Sequence, residues 1–261
     1  MTLAANVKKL SSRIAPNLYT QVQERWTSHR INKITQVIVK RHGLLVLDGP
    51  FAGMRYVPEA VGSSLLPKLL GSYEAELHQQ LAVIISSGYR RIIDVGCAEG
   101  YYAVGLAMKI PQARVYAYDI NPRARRLCEE LARANDVSER VVVDGECNGE
   151  QLAKSLDDRC LVICDCEGYE LELLDPGLVP GLCVSDLLVE LHDFIDRTIS
   201  PTIISRFAET HDISLISSLD REPSTYTALE SFNNWDRRVA VAEFREEQMQ
   251  WAVMRAKHRS A

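Results

Sequence analysis

From residue 90 onward, short apolar runs alternate with helix-like segments, and nearly every apolar run ends in a polar residue. The apolar runs are almost continuous in Val, Ile and Leu. Strands of a parallel sheet have this composition because helices cover both faces of the sheet. The pattern therefore predicts an α/β fold with a doubly wound, mostly parallel seven-stranded sheet.

The apolar runs also predict where the strands lie. We expect them at residues 91–95, 114–118, 141–143, 161–164, 187–191, 213–217 and, in the tail, 249–255. Asn121 and Pro122 indicate a helix start after the second strand, because Asn is a favoured cap and Pro suits the first helical position. Open α/β sheets bind ligands beyond the carboxyl ends of their strands, so the polar residues there form the candidate site.

Residues 1–88 precede this alternation, and we interpret them as an N-terminal accessory segment that packs on residues 89–261. Apolar residues at helical spacing predict a helix over 17–40. Two apolar runs around Asp48-Gly49-Pro50 indicate a β-hairpin at 44–57. A second helix is expected from Pro67 to Gly88.

Charge and cysteine content narrow the possible partners. The formal net charge is −5, which argues against a duplex nucleic acid as partner. Seven cysteines, several inside apolar runs, are typical of reduced thiols in a cytoplasmic protein. The start of the chain lacks the apolar centre of a signal peptide, and no run is long enough to span a membrane. We expect a cytoplasmic protein with a small-molecule partner; the sequence is also compatible with a homodimer.

The loop at residues 94–100, Asp-Val-Gly-Cys-Ala-Glu-Gly, follows the first predicted strand. Glycines at such a turn let the backbone approach a ligand, and the helix start that follows favours an anionic group such as a carboxylate. The spacing departs from the G-x-G-x-x-G pattern of dinucleotide binding, and Glu99 would repel a pyrophosphate. An acid is instead suited to an ammonium or a sulfonium, which favours S-adenosylmethionine (SAM) over NAD.

Further candidates lie at the ends of later strands. Asp119 can accept both hydroxyls of an adenosine ribose, and residues 144–147 would border the adenine. The candidate cofactor-binding residues are Asp94, Gly96, Cys97, Ala98, Glu99, Gly100, Tyr101, Asp119, Ile120, Asp144, Gly145, Glu146, Asp165 and Glu74.

Two blocks carry a resemblance to known proteins. Residues 93–102 resemble the first motif of class I SAM-dependent methyltransferases, a Rossmann-like fold class. The D-x-E-G-x-E segment at 165–170 and the later E-L-H at 190–192 resemble the FkbM family within that class. The resemblance covers about residues 73–253 and implies methyl transfer to an oxygen, often a hydroxyl of a sugar or secondary metabolite. Ala98 departs from the glycine common in the first motif, which a negative φ at that residue would accommodate.

His192 is the first candidate for a general base, because it follows a strand and has a near-neutral ordinary pKa. A histidine bonded only to backbone is an equally good interpretation. Asp165 and Glu167 are the other candidate catalytic residues, either orienting an acceptor or holding a divalent ion such as Mg²⁺, although no metal is favoured. Zinc at Cys160, Cys164 and Cys166 is disfavoured, because Cys160 and Cys164 fall on or beside a buried strand and no paired histidine lies nearby in the sequence.

Alternative functions remain open. A nicotinamide-dependent oxidoreductase would share the sheet, and a non-catalytic binding or assembly protein would keep the fold. Tyr73 and Glu74 precede the first strand, and the resemblance implies that this position lies near the methionine end of the cofactor. The alternative, favoured for either residue taken alone, is that Tyr73 is a core aromatic and Glu74 a surface charge. Tyr226, Phe232 and Trp235 either cover an acceptor or only pack their own loop.

Overall fold

The computed structural model describes residues 16–157, 159–245 and 247–257, with side chains from residue 26 onward. Its sheet has seven strands in the order β3-β2-β1-β4-β5-β7-β6. They are β1 Arg91–Val95, β2 Arg114–Tyr118, β3 Val141–Asp144, β4 Leu161–Cys164, β5 Asp186–Leu191, β6 His211–Ser217 and β7 Gln250–Ala256.

Strands β1 to β5 pair in parallel, whereas β7 runs antiparallel between β5 and β6. The α/β fold with a mostly parallel seven-stranded sheet is therefore confirmed. The order also places β1 and β4, which start the two halves of the sheet, side by side. Ligand sites of doubly wound sheets lie where the strand order reverses, so this junction positions the site.

The α-helices are α1 Pro16–His42, α2 Leu65–Leu70, α3 His78–Ser86, α4 Tyr101–Lys109, α5 Pro122–Ala134, α6 Gly149–Ser155, α7 Glu170–Leu173, α8 Ile199–Phe207 and α9 Asn234–Val241. The predicted start of α5 is confirmed, because the Asn121 side chain accepts a hydrogen bond from the Arg123 amide. No helix among the described residues is both long and apolar enough to cross a bilayer.

The residues of each strand alternate between two apolar cores, one on each face of the sheet. Ile92 belongs to the core that contains α4 and α5, and Ile93 to the core that contains α8. The segment before β1 packs on the α4–α5 side, where the fully buried Phe51 contacts Tyr101 edge-to-face at 5.1 Å. This segment thus shares a core with the sheet. The division of the chain into an accessory segment, 1–88, and a domain, 89–261, stays a prediction.

Two expectations for this segment need revision. The hairpin is reduced to an isolated antiparallel bridge between Leu45 and Arg55. The single helix from Pro67 to Gly88 is wrong, because α2 ends at Leu70, capped by Gly71 with φ +75°, and α3 starts only at His78. A Cβ on Gly71 would lie 2.1 Å from the Asp48 carbonyl oxygen, so this close approach requires glycine. The interruption leaves Tyr73 in a turn.

Candidate functional site

A cavity of about 490 Å³ lies over the carboxyl ends of β1, β2 and β4, within the size range of small-molecule sites. Nine of the predicted cofactor residues line it: Gly96, Cys97, Ala98, Tyr101, Asp119, Ile120, Gly145, Glu146 and Asp165. The carboxyl ends of adjacent parallel strands meet at one edge, which is why residues so distant in sequence converge.

The glycine at position 96 is required by a close backbone approach. Its φ is +83°, and a Cβ there would lie 1.6 Å from the Asp165 carbonyl oxygen. The turn after β1 therefore rests directly on the turn after β4. Gly100 has φ +96° and faces away from the cavity, and a Cβ on it would lie 2.7 Å from the Cys128 sulfur. Gly100 thus serves the packing of α4 on α5 rather than ligand contact.

Alanine in place of the motif's glycine at residue 98 led us to expect a negative φ there, and this expectation is wrong. Its φ is +47°, in the left-handed region that favours glycine. The backbone is held there because the Ala98 amide donates to Asp119 Oδ2 at 2.8 Å. The alanine is therefore strained, at a cost of about 1–2 kcal/mol for the left-handed conformation.

Replacing Ala98 by glycine should raise the free energy of unfolding by about 0.5–1 kcal/mol, because the strain relieved exceeds the entropy that glycine adds to the unfolded chain. Urea denaturation measures the change. Ala153 lies exposed in α6, and Ala153→Gly should lower stability by about 0.5–1 kcal/mol. If both Ala98→Gly and Ala153→Gly lowered, or both raised, the free energy of unfolding, the strain assigned to Ala98 would be contradicted.

Asp119 is held by backbone amides. Its Oδ2 accepts from Ala98, and its Oδ1 accepts from the Asn121 amide at 2.7 Å. Each carboxylate oxygen has two lone pairs, so each still has one to accept a ligand hydroxyl. The half-buried Asp119 is thus an oriented acceptor of two hydrogen bonds.

Glu99 lies outside the cavity lining, contrary to its predicted cofactor role. It is fully buried and accepts hydrogen bonds from the Tyr56 hydroxyl at 2.6 Å, from the Val61 amide at 3.0 Å and from the Lys68 ammonium. Burial by itself raises the pKa of Glu99, but the Lys68 charge and these hydrogen bonds outweigh it and lower the pKa. Glu99 therefore joins the loop at residues 94–100 to the segment before β1.

Lys68 presents a positive charge to the cavity that the sequence analysis missed. It lines the cavity, and its ammonium lies 4.7 Å from the centre of the Tyr73 ring. The signal in the sequence was a single lysine within the apolar run Leu-Leu-Pro-Lys-Leu-Leu, since a buried lysine needs a partner. Tyr73, Cys147 and Glu167, all named from the sequence, also line the cavity, as does Val95 of the loop at 94–100. The other lining residues missed are Val61, Gly62, Ser63, Tyr102, Tyr118, Asn121, Cys166 and Tyr169.

Asp94 lies beneath the loop at 2% exposure, outside the cavity lining, and its Oδ2 lacks a hydrogen-bond partner among the described residues. Burial, and then the charge of Asp165, raise its pKa from 3.8 to about 8. Asp119 also raises this pKa, and Lys68 lowers it. A cationic ligand group nearby would favour ionised Asp94, so this unsatisfied carboxyl fits an ammonium-bearing ligand.

The raised pKa of Asp94 predicts a pH-dependent stability. Because the folded state retains the proton up to about pH 8, stability falls as the pH rises from about 4 to 8. Asp94→Asn removes this titration. The free energy of unfolding of Asp94→Asn, minus that of the parent, should therefore increase by about 1–2 kcal/mol between about pH 6.5 and pH 8. Urea denaturation at both pH values checks this; an advantage that does not change with pH would contradict it.

Two other candidates also lie outside the cavity lining. Asp144 is exposed and caps its own turn, since its Oδ1 accepts from the Gly145 amide at 2.7 Å. Glu74 is 1% exposed, is paired with Arg245 and accepts a hydrogen bond from the Tyr102 hydroxyl. Tyr73, its neighbour, lines the cavity instead.

A second cleft, of about 360 Å³, adjoins the cavity and shares Tyr73, Asp165 and Glu167 with it. Its polar lining includes Glu190 and His192 from the end of β5. Phe194 and Phe244 also line it and are 39% and 53% exposed. The cleft is thus a polar chamber with two accessible aromatic rings, and Asp165 belongs to both spaces.

His192 is surrounded by carboxylates rather than bonded to backbone. Its Nδ1 contacts Glu170, and its Nε2 lies 3.4 Å from Asp165, 3.6 Å from Glu167 and 3.6 Å from Glu190. Burial lowers the pKa of His192, but the hydrogen bonds to Asp165 and Glu170 outweigh it and raise the pKa to about 11. The imidazole therefore already holds its proton at neutral pH, which is unfavourable for the general base that the sequence suggested.

Cys160, Cys164 and Cys166 belong to no group of three potential metal ligands among the described residues. Cys160 contacts Asp157, while the Cys164 and Cys166 sulfurs lie 3.3 Å apart. Tyr226 and Phe232 pack against the buried apolar residues of α1, and Trp235 lies 6.1 Å from Trp26. These three aromatic residues therefore pack their own loop and do not line the cleft.

Comparison with known proteins agrees with this architecture. Residues 77–158 match the family model described as the methyltransferase small domain. A release factor glutamine methyltransferase of Dictyoglomus turgidum is 28% identical over 75 residues, which cover 28% of this chain and 27% of that protein. The chain thus matches about a quarter of the length of this curated relative.

Solved structures of methyltransferases are also similar. The human methyltransferase 10 domain containing protein has a TM-score of 0.47 at 13% identity, covering 87% of this chain and 96% of that one. An O-methyltransferase from Bacillus cereus in complex with SAH has a TM-score of 0.43 at 14% identity, covering 96% and 97%.

The matched segment 77–158 contains β1, β2, β3 and the glycine loop, but it ends before β4 and the cleft residues. The matched segment therefore carries the first three strands and the loop beside the cavity, and these resemble the methyltransferase small domain. They leave the methyl acceptor open.

Proposed function

We propose that the protein transfers a methyl group from SAM to a hydroxyl of a small molecule such as a sugar or secondary metabolite. The observation that carries this proposal is the pair of adjoining spaces that share Asp165. One space has the loop and acceptor groups suited to SAM, and the other has the size and polarity of a small hydroxylated compound. The resemblance of residues 165–170 and 190–192 to the FkbM family points the same way.

Groups of this chain suit each part of the cofactor. Asp119 would accept hydrogen bonds from the ribose hydroxyls, and the exposed Ile120 at the cavity mouth would cover the adenine. Lys68, which lines the cavity, would pair with the methionyl carboxylate. Asp94, buried outside the lining, would act on the ammonium only through its charge. When bound, SAM supplies an activated methyl group, so the protein chiefly aligns the acceptor and excludes water.

Asp165 is the residue best placed to align an acceptor hydroxyl. Burial raises the pKa of Asp165, but hydrogen bonds from His192 and Glu190 outweigh it and lower the pKa, so the carboxylate is ionised. An ionised carboxylate accepts a hydrogen bond from a hydroxyl. The lone pairs of the hydroxyl oxygen then point away from the carboxylate. Asp165 would thereby orient the nucleophile, and His192 would orient Asp165.

Calorimetry with SAM, S-adenosylhomocysteine and NAD⁺ is the first test, and we expect binding of the first two alone. NAD⁺ binding without SAM binding would instead favour the oxidoreductase alternative. The second test incubates the protein with methyl-labelled SAM and a panel of hydroxylated sugars and metabolites. Label transfer to a hydroxyl is the expected result. Binding of SAM without transfer to any acceptor, amines and proteins included, would favour a non-catalytic role.

Asp165→Asn should reduce turnover at saturating acceptor by at least about tenfold, because the amide donates a hydrogen bond where the carboxylate accepted one. Its affinity for S-adenosylhomocysteine, measured by calorimetry, should change much less. Glu172→Gln, an exposed change in α7 outside both spaces, is the matched control. Equal turnover for Asp165→Asn and the parent would remove Asp165 from the mechanism.

A further inference from the structure

Asp165, Glu190 and His192 present three potential metal ligands to one point of the second cleft. One atom from each of these side chains lies within 4.8 Å of the other two. His192 Nε2 lies 3.4 Å from Asp165 Oδ1 and 3.6 Å from Glu190 Oε2. Ligands with bonds of about 2.0–2.2 Å to one ion are separated by similar distances, so the three atoms surround a space of the right size.

Glu170 gives an independent reason to assign a metal ligand. It is fully buried, and its Oε1 contacts His192 Nδ1 on the side away from the other carboxylates. A carboxylate bound to one ring nitrogen, with the other nitrogen facing oxygen ligands, is the arrangement found behind metal-binding histidines. Glu170 thus orients Nε2 towards the cleft and makes it a better ligand.

Glu190 is oriented in the same way. Arg245 contacts its Oε1 and leaves Oε2 facing His192. Arg245 also pairs with Glu74 and, at 3.0 Å, with Glu243, so its own position is set by three carboxylates. Two of the three ligand side chains are therefore held before any ion binds, His192 by the buried Glu170 and Glu190 by the partly buried Arg245.

We propose that Asp165, Glu190 and His192 bind a divalent first-row transition-metal ion of the Mn²⁺ or Zn²⁺ kind. A mixed set of one imidazole nitrogen and two carboxylate oxygens suits these ions, whereas Mg²⁺ and Ca²⁺ prefer oxygen ligands throughout. Three protein ligands leave further positions for water or a substrate atom, as in catalytic metal sites. All three ligands line the cleft, so these positions are accessible from it.

The consequence for the reaction rests on the proposed function. A hydroxyl bound to the ion becomes more acidic and releases its proton to water. Its oxygen then forms a bond to the methyl carbon while the bond from that carbon to sulfur breaks, which yields the methyl ether, S-adenosylhomocysteine and one proton. The ion would therefore activate the nucleophile, a role that His192 bound to the ion through its unprotonated Nε2 does not perform.

Mn²⁺ binding tests the site without any substrate. The full chain is treated with a chelator, desalted and titrated with Mn²⁺, and the free ion is followed by electron paramagnetic resonance. We expect one bound equivalent. His192→Gln should weaken Mn²⁺ binding by more than tenfold. Glu170→Gln leaves the three ligands in place and changes only the carboxylate that contacts His192 Nδ1, and it should weaken Mn²⁺ binding by about 10–100-fold.

Glu247→Gln is the matched control, because Glu247 lines the same cleft but pairs with Arg197 at 3.0 Å. It should bind Mn²⁺ like the parent. Circular dichroism and the affinity for S-adenosylhomocysteine verify that each variant is folded, since His192 does not line the cofactor cavity. If His192→Gln does not fold, Asp165→Asn replaces it, with circular dichroism alone as its folding control.

Two results would overturn the site: no binding by the parent at millimolar Mn²⁺, or equal binding by the parent and folded ligand variants. Loss of the proposed function is recognised separately. A chain that binds Mn²⁺ but neither SAM nor S-adenosylhomocysteine contradicts the methyltransferase proposal and retains the metal site.

Discussion

Lys68→Met is expected to lower the free energy of unfolding by about 3–5 kcal/mol, the usual effect of removing one partner of a buried ion pair. The pair that it breaks is enclosed, since the side chains of Lys68 and Glu99 are 3% and 0% exposed. Methionine matches the length of lysine, so the change removes the charge with little loss of packing. Glu99 would keep its hydrogen bonds to Tyr56 and Val61 but lose its counter-charge.

Urea denaturation of Lys68→Met and Lys154→Met gives the comparison. Lys154 pairs with Glu150 on the surface of α6, with both side chains more than 70% exposed. This pair should contribute at most about 0.5 kcal/mol, so its loss should change stability little. Adding Glu99→Gln to Lys68→Met should recover part of the loss by removing the unpaired charge. Equal effects of the two lysine changes would contradict the buried pair.

Asp119→Ala is expected to weaken SAM binding by about 1–3 kcal/mol, or roughly 5- to 150-fold, through loss of two charge-assisted hydrogen bonds. Part of this effect would come from the loop, because Asp119 also accepts from the Ala98 and Asn121 amides. Calorimetry with S-adenosylhomocysteine, which has the same ribose, measures the loss without turnover.

Asp144→Ala is the control for Asp119→Ala, because Asp144 ends the adjacent strand but is exposed and outside the cavity. Its affinity for S-adenosylhomocysteine should stay within about twofold of the parent, since the change removes only a local turn contact. If Asp119→Ala bound S-adenosylhomocysteine as tightly as the parent, the assignment of Asp119 as the acceptor of the ribose hydroxyls would be refuted.

The segment before β1 contributes to both spaces of the site. Lys68 and Tyr73 line the cofactor cavity, and Tyr73 also lines the cleft. Arg245, on the approach to β7, joins Glu74 from this segment to Glu190 from β5. The charges around the proposed metal site are therefore assembled from three distant parts of the chain.

The sequence by itself determined the sheet, the strands and the position of the glycine loop that lines the cavity. Parallel strands covered on both faces need continuous apolar runs, and this composition is visible without a structure. Gly96 and Asp119 were also identifiable, because both follow apolar runs and the carboxyl ends of such strands share one edge of the sheet.

Only the tertiary structure decided how the charged residues pair. Glu99 turned away from the cavity because Lys68, 31 residues earlier, offers it a buried counter-charge. Ala98 adopted a positive φ because its amide is held by Asp119. His192 became the centre of four carboxylates, which reverses the role that its ordinary pKa suggests. Pairing and pKa depend on distances between residues remote in sequence, and those distances exist only after the chain has folded.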